Sequence, residues 1–345
     1  MKKEHYGAID GLRAIGCIGI VLMHIAANNS YSISGFIYDT MIPSFTNFVF
    51  LFMTVSAFGM CCGYYERIIN NKISFNDFYG KRFKKILPFF GLLVLLDIVM
   101  SPSIDALYEA FADLTLLFGF LPGAGNITVI GVGWFLGLIF VFYICFPFFC
   151  VLLQSKRRAW MAFAISLIYN FICTVYFDVG RSNILYSGCY FLAGGLIYLY
   201  RHELMKLNRW IGFGAAAVSV VLYYILGGNT AGCLLISVCW VFYAIICAGG
   251  GTARKSYLLE NKITNFISGI SMEIYLSHMV IFRVVEKLGL NQIIGNGWIQ
   301  YIITVAIVLF GTILFSVVVK KLIGLFEKKY AGMREKKEYS RLTQT

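Results

Sequence analysis

The stretch Asp10-Gly-Leu-Arg13-Ala-Ile-Gly-Cys-Ile-Gly-Ile-Val-Leu-Met-His24 decides the fold, because it belongs to an apolar run long enough to cross a bilayer. Arg13 and His24 are ionisable groups within this run. Their spacing places both side chains on one helix face, about 16 Å apart in depth. An ionisable group in hydrocarbon costs several kcal/mol unless it faces a bundle interior. The stretch therefore predicts a membrane helix with a polar face that points into a bundle.

The composition extends this prediction to the whole chain. The 345 residues are 59% hydrophobic and only 13% charged, with a mean hydropathy of +0.76, whereas soluble domains average about 25% charged residues. These values exclude a soluble globular protein and predict an all-α polytopic membrane protein. We expect the first segment to remain as a helix rather than be cleaved as a signal. We also expect one transmembrane domain, 1–328, followed by a short charged tail, 329–345.

Apolar segments of near-spanning length recur along the chain and predict about ten transmembrane helices. The predicted spans are 8–27, 43–64, 86–101, 129–153, 159–177, 184–200, 210–227, 231–249, 266–285 and 298–319.

The distribution of basic residues predicts the orientation. If both termini are cytoplasmic, 25 of the 29 lysines and arginines fall at the inner ends of the spans or in inner loops, from Lys2 and Lys3 through Arg254 to the tail. The outer loops then hold only Arg181 and Lys287, as the positive-inside rule requires. The net charge of +12 is thus explained by topology and by contact with lipid headgroups. Binding to nucleic acid is not expected.

The apolar segment from Leu107 to Leu121 is short for a membrane span. It contains Glu109 and Asp113 and is followed by Pro122-Gly123-Ala124-Gly125. Counting it as a span would place every later basic loop outside. We therefore predict a short outer re-entrant or interfacial segment.

Arg13 and His24 have two interpretations. In the structural one, Arg13 pairs with Asp10 one turn earlier and His24 is a hydrogen-bonded core residue. In the functional one, His24 is a general base, because a neutral imidazole accepts a hydroxyl proton near neutral pH.

The ninth predicted span carries a second polar stripe. Ser271, Tyr275 and His278 are spaced i, i+4 and i+7 and share one helix face. Such a stripe is also typical of a hydrogen-bonded seam between membrane helices. The expected depth of His278 is close to that of His24, so the two histidines are expected to meet in one cavity.

A basic loop precedes the third predicted span. Lys81, Arg82 and Lys85 either anchor that span on the inner side or bind an anionic cytoplasmic ligand such as the phosphates of a nucleotide-like cofactor. The ten cysteines lack a Cys-x-x-Cys pair, and most lie in apolar segments. They favour apolar packing, and no metal site is expected.

Together these motifs resemble the membrane acyltransferase family 3. The resemblance covers roughly residues 5 to 325, with the motifs in family order. They are Arg13-x10-His24, Phe52-x3-Ser-Ala-Phe58, Arg82-x2-Lys85-x2-Pro88, Trp134-Phe-Leu with Tyr143 and Pro147, Phe191-Leu-Ala-Gly-Gly195, and Ser271-x3-Tyr275-Leu-x-His278.

The resemblance implies a multi-pass enzyme of a bacterial inner or plasma membrane that moves an acyl group, usually acetyl. The donor would be cytoplasmic acetyl-CoA or another acyl-CoA, and the acceptor a hydroxyl of a surface glycan or lipid-linked sugar. It implies that His24 is the catalytic base with Arg13 as its companion, and that the Arg82 and Lys85 motif lies near the acyl-CoA entrance, where we expect Lys81 to contribute as well. Tyr275 and His278 match a recurring late-helix motif. Many family members have a second arginine where this chain has Lys85.

Two other classes of function remain open. A transporter or flippase would use the polar face of the first helix as a substrate path. A non-catalytic membrane partner or sensor would transfer no acyl group.

Overall fold

A computed structural model describes residues 6–121, 125, 127–249 and 255–342, with only the backbone described at 330–332 and 334–342. Several residues used in the sequence analysis lie outside this part of the chain: Lys2, Lys3, residues 122–124 and Arg254.

The described part of the chain is helical and contains no strand. The helices are α1 Gly7–Ala27, α2 Ile42–Ser44, α3 Phe48–Met60, α4 Glu66–Ile69, α5 Phe75–Met100, α6 Ile104–Thr115, α7 Trp134–Leu153, α8 Lys156–Tyr176, α9 Ile184–Leu199, α10 Arg201–Leu204, α11 Arg209–Ile225, α12 Thr230–Ala248, α13 Lys262–Gly269, α14 Ser271–Lys287 and α15 Gly297–Leu342.

Six helical segments are long and apolar enough to cross a membrane, which confirms the prediction of an all-helical polytopic protein. These segments are Gly7–Ala27, Ile37–Ile69, Gly131–Leu153, Lys156–Tyr176, Thr230–Ala248 and Gly297–Lys329.

The other four predicted spans are also helical but differ in length or continuity. One lies in the second half of α5, and two are the shorter apolar helices α9 and α11. The span predicted at 266–285 is interrupted at Ile270, where α13 ends and α14 begins. The helix α15 continues to Leu342, so its backbone does not change at the predicted boundary between domain and tail.

The helix α6 has only 12 residues, about 18 Å of rise, which is too short to span a bilayer. Its apolar residues Leu107, Tyr108 and Phe111 are exposed, whereas Ala110 and Asp113 are buried. This amphipathic pattern agrees with the interfacial segment predicted from the sequence.

The helix α1 lies inside the bundle and packs against α3, α12, α13, α14 and α15. This position explains how α1 accommodates Arg13 and His24, because its polar face is covered by other helices. We call the end of the bundle at which α1 begins the first end, and the end at which α1 finishes, near Ala27, the second end.

The paired glycines of the 191–195 motif allow α9 to pack closely against two neighbours. A Cβ atom at Gly194 would lie 2.2 Å from the Thr54 carbonyl oxygen of α3, and one at Gly195 would lie 2.4 Å from the Phe149 ring of α7. Small residues at helix interfaces allow backbones in membrane bundles to approach one another. This motif therefore fixes the positions of α3 and α7, both of which line the candidate site.

Candidate functional site

A cavity of about 490 Å³ opens at the first end of the bundle. We call it the basic cavity, because its wall contains the cations Arg13, Arg82, Lys85 and Lys320. The carboxylates of Asp10 and Glu273 lie in the same wall. Further lining side chains include Tyr6, Phe52, Ser56, Tyr64, Phe135, Tyr143, Ser268, Ser271, Met272 and Tyr275.

Arg13 is held by the residue one turn before it. Its Nη1 lies 3.1 Å from Oδ1 of Asp10, and the Ser268 hydroxyl donates to the same oxygen at 3.0 Å. The pairing expected in the structural interpretation is therefore present, and it lies in the cavity wall. The Arg13 side chain remains partly exposed, so it retains donors for an anionic ligand.

Lys320 of α15 joins two elements across the cavity. Its Nζ lies 2.9 Å from Oε1 of Glu273 and donates to the carbonyl oxygen of Gly269 at 2.7 Å. Gly269 is the last residue of α13, so this bond satisfies a carbonyl that the interruption of the helix leaves without an intrahelical partner. Lys320 thus stabilises both the buried Glu273 carboxylate and the break before α14.

Arg82 is positioned by aromatic residues. One guanidinium nitrogen donates a short hydrogen bond to the Tyr64 hydroxyl, and the guanidinium lies 4.6 Å from the Tyr64 ring centroid and 5.8 Å from that of Tyr143. Cation–π contacts of this kind fix the plane of the guanidinium. Lys81 and Lys85 are both exposed, but only Lys85 lines the cavity.

Three aromatic rings from different helices pack together at the inner end of the cavity. The ring of Phe135 lies 5.7 Å from that of Tyr275, and Phe52 lies 6.2 Å from Phe135 and 6.5 Å from Tyr275. The Tyr275 hydroxyl donates to the carbonyl oxygen of Val132 at 2.8 Å, which holds the ring across the cavity. We call these three residues the aromatic floor.

The two candidate histidines lie beyond the aromatic floor. The ring of His278 is 6.1 Å from that of Tyr275 and 5.1 Å from that of His24. The two histidines meet, as their spacings suggest, although neither lines the basic cavity. Arg13 and His24, by contrast, are separated: Arg13 lies in the cavity wall and His24 on the other side of the floor.

The hydrogen bonds of His278 define its tautomer. Its Nδ1 lies 2.7 Å from the carbonyl oxygen of Tyr275, and a carbonyl oxygen only accepts, so Nδ1 carries the proton. In the neutral ring, Nε2 is then an acceptor. This buried atom has no hydrogen-bond partner among the described residues, so it is available to orient a neighbouring donor such as His24.

Arg181 approaches the histidines from the second end, in the loop between α8 and α9. Its guanidinium donates to the Thr46 hydroxyl at 2.7 Å and lies 5.1 Å from the Trp134 ring centroid. The Trp134 ring in turn lies 5.9 Å from the ring of Phe135, so Arg181 is linked through Trp134 to the aromatic floor. Across the described residues, Arg181 forms no ion pair with a carboxylate. A partly buried cation without a counter-ion is unusual and favours a ligand anion as its partner.

Sequence reasoning missed Arg181, Glu273 and Lys320. Arg181 belongs to no motif, and its only signal was that it is one of few basic residues in the outer loops. The contact between Glu273 and Lys320 joins two helices, so no local spacing indicates it.

The comparison with curated proteins and the comparison with solved structures each found no match. A family model described as "Acyltransferase domain" matches residues 6–320, which include the basic cavity, the aromatic floor, the histidine pair and Arg181. Because this match covers most of the chain, the protein belongs to the membrane acyltransferase family 3.

Proposed function

We propose that this acyltransferase moves an acyl group, most often acetyl, from cytoplasmic acyl-CoA to a hydroxyl of an extracytoplasmic or lipid-linked glycan. In this proposal ten helices span a bacterial inner or plasma membrane, and both termini are cytoplasmic. The basic loops support this orientation, because most lysines and arginines then lie inside. The first end of the bundle, with the basic cavity, faces the cytoplasm. The second end, with Arg181, faces outward.

The donor binds in the basic cavity. The phosphates of acyl-CoA are anionic, and Arg82 and Lys85 of α5 and Arg13 of α1 supply charge-assisted hydrogen bonds from two helices. The planar, aromatic-stacked guanidinium of Arg82 suits bidentate phosphate binding, whereas Lys85 contributes a point charge. The narrow acyl-pantetheine arm extends towards the aromatic floor. For the thioester to reach His24, the floor has to open.

His24 acts as the general base for the transfer. It removes the proton of the acceptor hydroxyl as the hydroxyl oxygen attacks the thioester carbonyl carbon. The resulting tetrahedral intermediate collapses, the carbon–sulfur bond breaks, and the proton on His24 passes to the departing CoA thiolate. His278 is a positioning residue: its unprotonated Nε2 accepts a hydrogen bond from the N–H of the His24 ring and so leaves the other His24 nitrogen free to act as base.

Arg181 stabilises the oxyanion of the intermediate. It is linked to the aromatic floor through Trp134 and Phe135, and it has no carboxylate partner within the described chain. A positive group that is already in position where negative charge develops in the transition state commonly makes the largest contribution to acyl-transfer catalysis. A covalent acyl-enzyme on His24 or on Ser56, which lines the basic cavity, is a second route to the same products.

The observation that carries the proposal is the chain of contacts from the basic cavity through Tyr275 and His278 to His24. The test uses purified protein in liposomes with radiolabelled acetyl-CoA and a glycan extract of the source cells. We expect label in the glycan and release of free CoA. Movement of glycan across the bilayer without label transfer would instead establish a transporter. The absence of both would indicate a non-catalytic partner.

A further inference from the structure

A second cavity, of about 530 Å³, lies at the second end of the bundle between the ends of α5 and α14 and the start of α6. We call it the distal cleft. Its lining contains three hydroxyl side chains, three carboxylates and two cations: Ser101, Ser103, Thr128, Asp97, Asp105, Glu286, Arg283 and Lys287. No residue of the distal cleft lines the basic cavity.

The chemistry of this lining fits a polyhydroxylated ligand. Carboxylates accept hydrogen bonds from sugar hydroxyls, and arginine and lysine donate to sugar oxygens. Arg283 Nη1 is held 2.9 Å from Oδ1 of the buried Asp97, which fixes its position. The Arg283 side chain is nearly half exposed and lines the cleft, so it retains further donors for a ligand. Asp105 and Lys287 are exposed at the rim.

The helix α14 connects the distal cleft to the histidine pair. Its first turns line the basic cavity up to Leu276, His278 follows, and Val280 already lines the distal cleft. The step from His278 to Val280 corresponds to about 3 Å along the helix axis, and the step from His278 to Arg283 to about 7.5 Å. Along the axis of α14 the distal cleft therefore lies one to two turns beyond His278, on the side away from the basic cavity. Val280 and Arg283 are about 200° and 140° around the helix from His278, so the cleft is on another face of α14. The loop before α7 connects the two faces, because Thr128 and Val129 line the cleft and the Val132 carbonyl oxygen accepts from the Tyr275 hydroxyl.

One wall of the cleft is built from the interfacial helix. Asp105 and Ala106 of α6 line the cleft, and the opposite face of α6 exposes Leu107, Tyr108 and Phe111. The Glu109 carboxylate accepts from the Thr128 hydroxyl at 2.7 Å and from the Val129 N–H at 2.8 Å, which attaches the loop before α7 to α6. A polar cleft beside a lipid-facing helix suits a ligand with a polar head and an apolar chain.

We propose that the distal cleft is the acceptor subsite and that it binds the sugar head of a membrane-anchored glycolipid whose lipid chain lies along α6. This inference rests on the proposed acyltransferase function and adds a location and a class of acceptor to it. Free polysaccharide is the alternative acceptor, because it carries the same kind of sugar hydroxyl.

The test compares acceptors and rim variants in proteoliposomes supplied with radiolabelled acetyl-CoA. The two acceptor probes are the total lipid extract and the lipid-free polysaccharide of the source cells. The variants are Asp105→Asn and Lys287→Gln, which change exposed side chains and should fold normally. Lys206→Gln, an exposed lysine at the first end, is the matched control for Lys287→Gln.

We expect the wild type to label the solvent-extractable glycolipid. Each rim variant should require about tenfold more lipid extract to reach the same rate, because one charge-assisted hydrogen bond to the acceptor is lost. Its KM for acetyl-CoA should not change. The Lys206→Gln control should need the same amount of lipid extract as the wild type. Label only in free polysaccharide, or rim variants that behave like the control, would overturn the inference. A wild type that transfers no label to either probe would instead contradict the proposed function itself.

Discussion

The imidazole rings of His24 on α1 and His278 on α14 lie with their centroids 5.1 Å apart, between a basic cavity at one end of the bundle and a polar cleft at the other. This relationship links the motif of the first helix to that of the late helix. It also explains why two costly polar side chains are kept inside an apolar bundle.

His278 should affect turnover rather than donor binding. Replacing His278 with Ala removes the ring that packs against His24 at 5.1 Å and the acceptor that we propose orients it. Loss of orientation at a reacting group can lower the rate by about a hundredfold. We expect kcat to fall by about ten- to a hundredfold while the KM for acetyl-CoA stays constant, because His278 does not line the basic cavity. The pH profile of kcat should shift as well, since His278 faces His24. A purely structural role predicts lower yield of folded protein with an unchanged pH profile.

Arg181 should contribute to the transition state. Arg181→Gln removes the cation near His24 and should lower kcat by about 10²-fold, the usual loss for one oxyanion-stabilising donor. Arg181→Lys should recover part of the activity, because it keeps the charge. Arg157→Gln, which changes an exposed arginine at the first end, serves as the control. Equal activity of the Gln variants at positions 181 and 157 would refute this role.

Lys85 and Lys81 form a matched pair for testing the donor site. Lys85 lines the basic cavity, and Lys81, four residues earlier on α5, does not. Lys85→Gln should raise the KM for acetyl-CoA by about tenfold through loss of one charge-assisted hydrogen bond, whereas Lys81→Gln should change it by less than about twofold. A larger effect at Lys81 would show that CoA binds outside the basic cavity.

Lys320 should matter for stability more than Glu273. Lys320→Met removes the ion-pair partner of the buried Glu273 carboxylate, which should destabilise the protein by about 1 to 3 kcal/mol. The loss is smaller than for a fully buried pair, because Lys320 is half exposed and other cations line the same cavity. Glu273→Gln should cost less, because the remaining lysine reaches solvent. The readout is Tm in detergent, with the exposed neighbour Lys321→Met as the control. A Tm for Lys320→Met no lower than that of the control would argue against this ion pair.

Periodicity and charge were sufficient to predict the all-helical fold and the meeting of His24 with His278, because both follow from position along single helices. The break at Ile270 was missed: no proline marks it, and it is stabilised by Lys320 from another helix. The position of Arg181 was missed for a related reason. A loop has no periodicity, and the contacts of Arg181 with Thr46 and Trp134 join distant parts of the chain.

The separation of Arg13 from His24 also depends on tertiary structure. Their spacing indicates a shared face, but the aromatic floor that divides them is built from Phe52, Phe135 and Tyr275, which come from three other helices. Local sequence does not indicate which aromatic side chains meet across a bundle. The division between Arg13 on one side of the floor and His24 on the other is thus a property of the packed structure.

The central claim is that His24 is the base in acyl transfer, and single-turnover transfer of radiolabelled acetyl from acetyl-CoA by the His24→Ala variant tests it most directly. We predict at least about a 10²-fold loss of transfer, the usual contribution of a general base, with wild-type protein levels in the membrane and wild-type affinity for acetyl-CoA. Transfer at a rate within about twofold of the wild type would contradict the catalytic role of His24.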